Sequence, residues 1–368
     1  MGLSRHDQRL SLAPMMEYTD RHMRYMLRLY TKKMVMWTEM IPIGSIVHNA
    51  DDLDRILGYD QSCEHPVVLQ LGGSDPELVR TACELARPYQ YDQINLNVGC
   101  PSERVAGKGA FGAALMREPR LVADICAAMR EGSGGAQTSV KCRIGVDDED
   151  SYASLARFVD VVARGGGVSD FIVHARKAIL KGLSPEQNRK VPPLKYDYVY
   201  RLVRDFPELS FTLNGGVTTY AGVQEALDGG AHGVMVGRAV LERPWYWSQS
   251  DSRVFGATDA ALNRRQVLQT YFEYAEGVEA EAGARWLTYR RRLLKPVWNL
   301  FHGEPGGKKF RARLDGMITQ ERPFHAIIND ALQELPPDVV DAPPGVGRTF
   351  KDLKRTKVAP PQLEYQCL

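Results

Sequence analysis

Gln93-Ile94-Asn95-Leu96-Asn97-Val98-Gly99-Cys100-Pro101 reads as a short strand, Gln93 to Val98, that runs into a Gly-Cys-Pro corner. The corner places a cysteine at the C-terminal end of the strand. In a parallel α/β barrel that edge is where chemistry sits. A thiol there can hand over a proton near neutral pH. Taken alone, the same cysteine is explained equally well as packing in a turn, so the reading depends on the neighbouring strands.

Seven further β-rich runs accompany it: Leu10–Met15, Met34–Glu39, Pro66–Leu71, Thr138–Ile144, Asp170–Ala175, Ser210–Asn214 and Gly233–Gly237. Each is apolar nearly throughout, as expected of parallel strands covered on both faces. Helical segments lie between them. Asp75–Arg87 opens on Asp75-Pro76-Glu77, a cap, a first-turn proline and an acid. Glu118–Met129 and Ser151–Arg164 carry apolar residues at three-to-four spacing, and Thr219–Gly229 ends on a glycine pair. Eight alternations predict an α/β fold, a (β/α)8 TIM barrel over residues 1–256. A doubly wound open sheet would normally carry G-x-G-x-x-G after its first strand, and none stands there. From about Ala257 the alternation stops. Asn263–Gly283 and Trp286–Phe301 predict a smaller all-helical domain over 257–340, followed by an extended C-terminal tail, 341–368.

The strand ends gather unusual polar groups. They are Ala13-Pro14-Met15, Gln70, Asn97 with Cys100, Lys141 with Arg143, His174 with Arg176, Asn214-Gly215-Gly216, and Gly237-Arg238. Barrels often hold a phosphate in the loops after strands seven and eight. Asn214-Gly215-Gly216 lets backbone N–H groups approach an anion, and Gly237-Arg238 adds a second close backbone and a permanent charge. Gln70 offers both a donor and an acceptor to a ring amide, and Lys141 can stabilise negative charge on such a ring. A flat, polar-edged ring with one phosphate points to FMN. Buried Gln, Lys and His can equally be core polar groups that satisfy one another.

Composition bounds the rest. Of 368 residues 44% are hydrophobic and 25% charged, the profile of a soluble globular protein. No apolar run approaches the roughly 20 residues that span a bilayer. The polar opening Met1–Arg9 lacks a secretory core, so a cytoplasmic protein is expected. Six cysteines without a C-x-x-C pair argue for reduced thiols and against a metal site. Net charge is only +2, but ten Lys/Arg between Arg285 and Arg322 face Glu304, Asp315 and Glu321 alone. Such a local excess suits a polyanion, or a merely solvated helix face.

These residues together resemble the tRNA-dihydrouridine synthases, flavoenzymes that reduce uridine to dihydrouridine in tRNA. Ala13-Pro14-Met15, Leu96-Asn97-Val98-Gly99-Cys100-Pro101, Val140-Lys141-Cys142-Arg143, His174-Ala175-Arg176 and Asn214-Gly215-Gly216 match its motifs in order. Met15-Met16-Glu17-Tyr18-Thr19-Asp20, Gln70–Ser74, Gly182–Pro185, Asn188-Arg189, Pro192–Leu194 and Leu300–Gly303 are similar to the A-type, 20/20a subfamily. Glu17-Tyr18 stands where that subfamily often has Asp-Trp, and the 106–112 loop departs from its pattern. The likeness covers about residues 9–320.

The resemblance implies FMN held by Ala13, Pro14, Met15, Gln70, Lys141, His174, Asn214, Gly215, Gly216, Gly237 and Arg238, with NADPH as reductant. The target uridine, at position 20 and in some tRNAs 20a, must leave its loop to reach the flavin. Hydride would go to uracil C6 and a proton to C5, with Cys100 as general acid. Asn97 and Arg143 would read the uracil, His174 would lie against flavin or base, and Arg176 and Arg189 would contact the RNA backbone. Lys295, Lys309 and Arg311 would grip tRNA from the helical domain. The oligomeric expectation is a monomer or weak dimer. Two rivals are another FMN barrel reducing a free pyrimidine or enone, and a non-catalytic tRNA-binding factor.

Overall fold

The computed structural model describes residues 2–101, 111–261 and 263–350. Eight strands form one all-parallel sheet: β1 (Leu10–Leu12), β2 (Met36–Pro42), β3 (Val67–Gly72), β4 (Gln93–Val98), β5 (Thr138–Arg143), β6 (Asp170–His174), β7 (Ser210–Asn214) and β8 (Gly233–Val236). They follow the order β1-β8-β7-β6-β5-β4-β3-β2. The ring closes where Ser11 bridges Val35, just ahead of β2. Two backbone bonds make that joint, Leu12 N–H to Val35 O at 2.9 Å and Val35 N–H to Leu10 O at 3.0 Å. The expected (β/α)8 barrel is therefore present, and every expected strand falls where the sequence placed it to within a few residues.

The helices begin where their caps allow. Asp75 accepts from the N–H groups of Glu77 and Leu78, Ser151 from Ser154, and Thr219 from Gly222. Each cap satisfies a backbone donor that the first turn cannot. Their apolar faces pack against the outward-facing strand residues, among them Ile94, Leu96, Val98, Val140 and Cys142.

The barrel interior differs from the expectation of strands apolar throughout. On β4 the polar residues alternate with the apolar ones, so Gln93, Asn95 and Asn97 share one face. They form a ladder. Ser139 Oγ donates to Gln93 Oε1 (2.8 Å), Asn95 Nδ2 to Ser139 Oγ (2.9 Å), Gln70 Nε2 to Asn95 Oδ1 (2.9 Å) and Asn97 Nδ2 to Gln70 Oε1 (2.9 Å). A buried amide left unpaired would cost about 1–3 kcal/mol, so the ladder is stable only as a set. Opposite it, Ala13, Val35, Trp37, Val68, Ile172 and Met235 form a separate apolar cluster.

Beyond the barrel the chain is helical. Arg264–Ala282, Trp286–Trp298, Gly307–Met317 and Phe324–Leu332 pack together and against the barrel. Tyr25 stacks on Tyr274 with ring centroids 3.8 Å apart, and His22 Nδ1 lies 2.7 Å from the Tyr274 hydroxyl. Arg264 is buried. Its guanidinium meets Glu304 at 2.9 Å and donates to the carbonyls of Leu300 and Val339. The same Glu304 carboxylate accepts the N–H groups of Arg348 (3.0 Å) and Thr349 (3.1 Å). Residues 341–350, expected to open an extended tail, are thus tucked in, with Thr349 buried and Phe350 against Tyr246. Residues 351–368 of that segment, and 106–110 of the 106–112 loop that departs from the family pattern, lie outside the described residues.

Candidate active site at the barrel mouth

Strand register sets the site. Asn97 pairs with Lys141, Arg143 with His174, His174 with Asn214, and Asn214 with Met235, so one rim carries all of them. Cys100 follows at the edge of this rim, half-buried. Its position is fixed through Asn97. The Asn97 Oδ1 accepts both Gly99 N–H (3.1 Å) and Cys100 N–H (2.9 Å), while its Nδ2 is held by Gln70. Asn97 is 9% exposed, with its Oδ1 engaged by the corner and its Nδ2 by Gln70.

Arg143 is similarly engaged. Its Nε donates to Gly99 O (2.9 Å), and one terminal nitrogen donates to the carbonyls of Lys177 (3.1 Å) and Asn188 (3.0 Å). Burial pushes its pKa down to about 10. Asn188, fully buried, in turn ties Ile179 and Leu183 and so shapes the loop after β6. Asn97 and Arg143, expected to read a substrate, also bond the backbone of the cysteine corner.

Lys141 and His174 face the mouth. Lys141 Nζ donates to Asn214 Oδ1 at 3.1 Å, and Asn214 Nδ2 donates to Met235 O at 2.9 Å. Burial, and then the neighbouring Arg143, lower the Lys141 ammonium to about 8. Burial also drives His174 well below the ordinary histidine value, reinforced by Arg143, Lys141, Arg176 and Arg189, so its ring is neutral at pH 7. Arg176 bonds the Pro192 carbonyl. Arg189 and Arg238 are exposed on the rim. None of Lys141, Arg143, Arg176, Arg189 and Arg238 has a carboxylate in ion-pair contact among the described residues.

Gly215 and Gly216 take φ values of +112° and +75°. A Cβ on Gly215 would come within 2.7 Å of His174, and one on Gly216 within 2.7 Å of Leu194 and 2.9 Å of the Tyr196 hydroxyl. Only glycine keeps this backbone open. Tyr196, which sequence reasoning missed, donates its hydroxyl to the Gly215 carbonyl. Gly237 sits 3.4 Å by its notional Cβ from Ala13, which brings the loops after β8 and β1 together.

The loop after β1 holds Ala13, Pro14 and Met15. Met15 N–H donates to Thr19 Oγ1 at 3.0 Å. Glu17 stands in the left-handed region at φ +66°. Its N–H donates to the Glu39 carboxylate, and its carbonyl accepts from Lys295 Nζ at 2.9 Å. Glu39, also missed from sequence, is pushed above the usual carboxylate range by burial.

The helical-region residues lie apart from this rim, except Lys295. Lys309 is exposed, and Arg311 meets Asn299 Oδ1 at 3.3 Å. The basic excess is partly consumed: Arg290 pairs with Glu279, Arg313 with Glu334 and Arg322 with Asp330. An open hollow of about 630 Å³ in this region is lined by Trp286, Arg290 and Phe324, and by none of the strand-end residues.

A dihydrouridine synthase family model matches residues 11–335. A tRNA-dihydrouridine(20/20a) synthase of Vibrio vulnificus is 41% identical over 91% of this chain and 99% of its own. One from Xanthomonas campestris is 46% identical over 82% of this chain and 86% of its own, and one from Salmonella typhimurium 42% over 88% and 94%. Among solved structures, the old yellow enzyme homologue from Zymomonas mobilis overlaps loosely, with a TM-score of 0.48 and 12% identity over 64% of this chain and 86% of that one. The chain belongs to the dihydrouridine synthase family.

Proposed function

We propose that this protein reduces uridine to dihydrouridine in the D-loop of tRNA, at position 20 and in some tRNAs 20a, using FMN and NADPH. The observation that carries the reading is the ring of cations at the barrel mouth, free of carboxylate partners among the described residues, with Cys100 braced at its edge. Relatives named for the same activity, similar along most of their length, support it.

The mouth fits FMN. Gly215 and Gly216 present backbone that no side chain could occupy, beside Arg238, Arg176 and Arg189, as a phosphate requires. Lys141 and His174, with Ala13, Pro14, Met15 and Gly237, offer polar and close-packed surface for the ring. Gln70, expected to pair with a ring amide, is instead 1% exposed with its amide bonded to Asn95 and Asn97, and would support the site from within that ladder. The chemistry FMN supplies when bound is storage and delivery of a hydride.

The chain's own residues do the rest. The neutral His174 adds no charge to an already cationic rim. Lys141 supplies a positive charge where negative charge accumulates on the ring or the substrate. Cys100 gives its thiol proton to uracil C5 once C6 has been reduced. Asn97 and Arg143 hold the Gly99-Cys100 corner so that the thiol is placed within reach. The target base reaches this rim only after it is turned out of its loop. Exposed Arg291, Arg292, Lys308 and Lys309 on the helical region, read as the tRNA-binding unit over 257–340, would meet RNA phosphates.

The test is an absorbance spectrum of the purified protein under anaerobic conditions, first with NADPH and then with unmodified tRNA. The expected result is a flavin spectrum that bleaches and then returns. Bleaching with no return on tRNA would point to a reductase of small molecules, and a protein that takes up no FMN would end the reading.

A further inference from the structure

The loop after β1 is built and then left uncovered. Three contacts fix it: Met15 on Thr19, Glu17 N–H on Glu39, and Glu17 O on Lys295. Holding a non-glycine residue in the left-handed region costs free energy, and such strain persists only where surrounding contacts impose it. Yet the side chains beside that residue point to water. Met16 is 53% and Tyr18 50% exposed. The described residues expose only five large apolar or aromatic side chains, and a third of them, Val191 at 59%, comes from the loop after β6. That loop also carries Arg189, exposed and within electrostatic range of both Cys100 and Tyr18. Lys295 Nζ lies 5.6 Å from the Tyr18 ring centroid.

Tyr18 therefore stands on the same rim as the candidate acid, flanked by Lys295 and Arg189. An exposed ring set among cations is how proteins receive single-stranded nucleic acid: bases stack on the ring and phosphates meet the charges. A protein partner is a poorer match, because the loop offers two isolated side chains between permanent charges rather than a continuous apolar patch.

We propose that Tyr18 is a stacking platform for an unpaired RNA base adjacent to the extruded uridine, fixed in place by Glu39 and Lys295. Stacking there would hold the loop open while the target base occupies the mouth. Tyr18 would contribute to tRNA binding rather than to the chemical step. The proposal rests on the tRNA reading given above.

The test compares Tyr18→Ala and Tyr18→Phe with the wild-type protein on an unmodified tRNA transcript, measuring KM and kcat for dihydrouridine formation. A transcript carrying 2-aminopurine at one unpaired position beside the reduced uridine gives a second readout through quenching of its fluorescence. A base–aromatic stack corresponds to roughly a tenfold or greater change in affinity. Tyr18→Ala should raise KM for tRNA about tenfold with kcat little altered and should remove the quenching. Tyr18→Phe should retain both. Equal KM values for Tyr18→Ala and wild type, or quenching that survives in Tyr18→Ala, would overturn the platform while leaving the synthase reading standing. A wild-type protein that forms no dihydrouridine in tRNA would instead remove the synthase reading, and this proposal with it. The same flavin spectrum in all three proteins is the check on folding.

Discussion

Asn97→Ala is the substitution that best separates a residue that reads the substrate from one that braces the acid. The change deletes three hydrogen bonds, two to the backbone of Gly99 and Cys100 and one to Gln70. Each contributes about 1 kcal/mol net, and an orphaned buried partner costs about 1–3 kcal/mol. Gln70 Oε1 is deep and loses its donor outright, since Gln70 is only 1% exposed. The two N–H groups lie near the mouth, where water can reach them. The expected destabilisation is therefore about 2 kcal/mol, below the sum of the worst cases. The larger effect should be on rate. With its corner released, Cys100 can drift by about 1 Å, a displacement that costs on the order of a hundredfold. Urea unfolding gives the first number. Single-turnover reoxidation of the pre-reduced flavin by tRNA gives the second. A bracing role lowers kcat and leaves KM for tRNA nearly unchanged, because the interaction acts through the acid rather than on the bound substrate. If KM rises while the single-turnover rate holds, Asn97 contacts the uracil and the bracing argument is wrong.

Other perturbations probe different parts of the molecule. Cys100→Ala should slow flavin reoxidation by tRNA by roughly 10²–10⁴, the contribution of a positioned general acid, while reduction by NADPH keeps its rate; stopped-flow absorbance measures both halves. Lys141 is held down to about 8, so FMN affinity should fall as pH rises through 8 and its ammonium discharges, whereas Lys141→Met should show no such step in a flavin titration. The sign for stability is opposite. A lysine whose folded value lies below its ordinary one weakens the flavin-free fold at pH 7, and the penalty fades as pH rises from about 8 towards the ordinary value, so the stability advantage of Lys141→Met should shrink over that range in urea unfolding. Glu304→Gln should cost about 3–5 kcal/mol in the same assay, because Arg264 is left buried without its counter-charge.

The barrel was legible because its signals are local. Caps at Asp75, Ser151 and Thr219, and the spacing of eight β-rich runs, each specify an element without tertiary help. The rim was legible because residues at successive strand ends must share an edge. What the sequence reading missed was direction. Gln93, Asn95 and Asn97 alternate with Ile94, Leu96 and Val98, a period of two that marks a polar inner face. Reading that period would have separated the amides that bond along the barrel interior from the groups facing the mouth. Glu39 and Tyr196 act through contacts with residues 22 and 19 positions away, and no short motif records such partners. The basic cluster after Arg285 overstated its free charge for the same reason. Arg290 is neutralised by Glu279, which lies outside the counted stretch.

The two-bond joint between β1 and the residue preceding β2 has a kinetic consequence. Every other junction of the ring is a ladder of several paired residues, and a cooperative unit opens first where its bonds are fewest. Amide hydrogens at Leu12 and Val35 should exchange with deuterium sooner than those of the β4–β5 pair. The Glu39–Glu17 contact spans this same gap from above, tying the segment that follows β1 to β2. A cylinder of parallel strands has no edge in its finished form, but it must acquire its last neighbour at some moment during folding, and this is where that step is most readily undone.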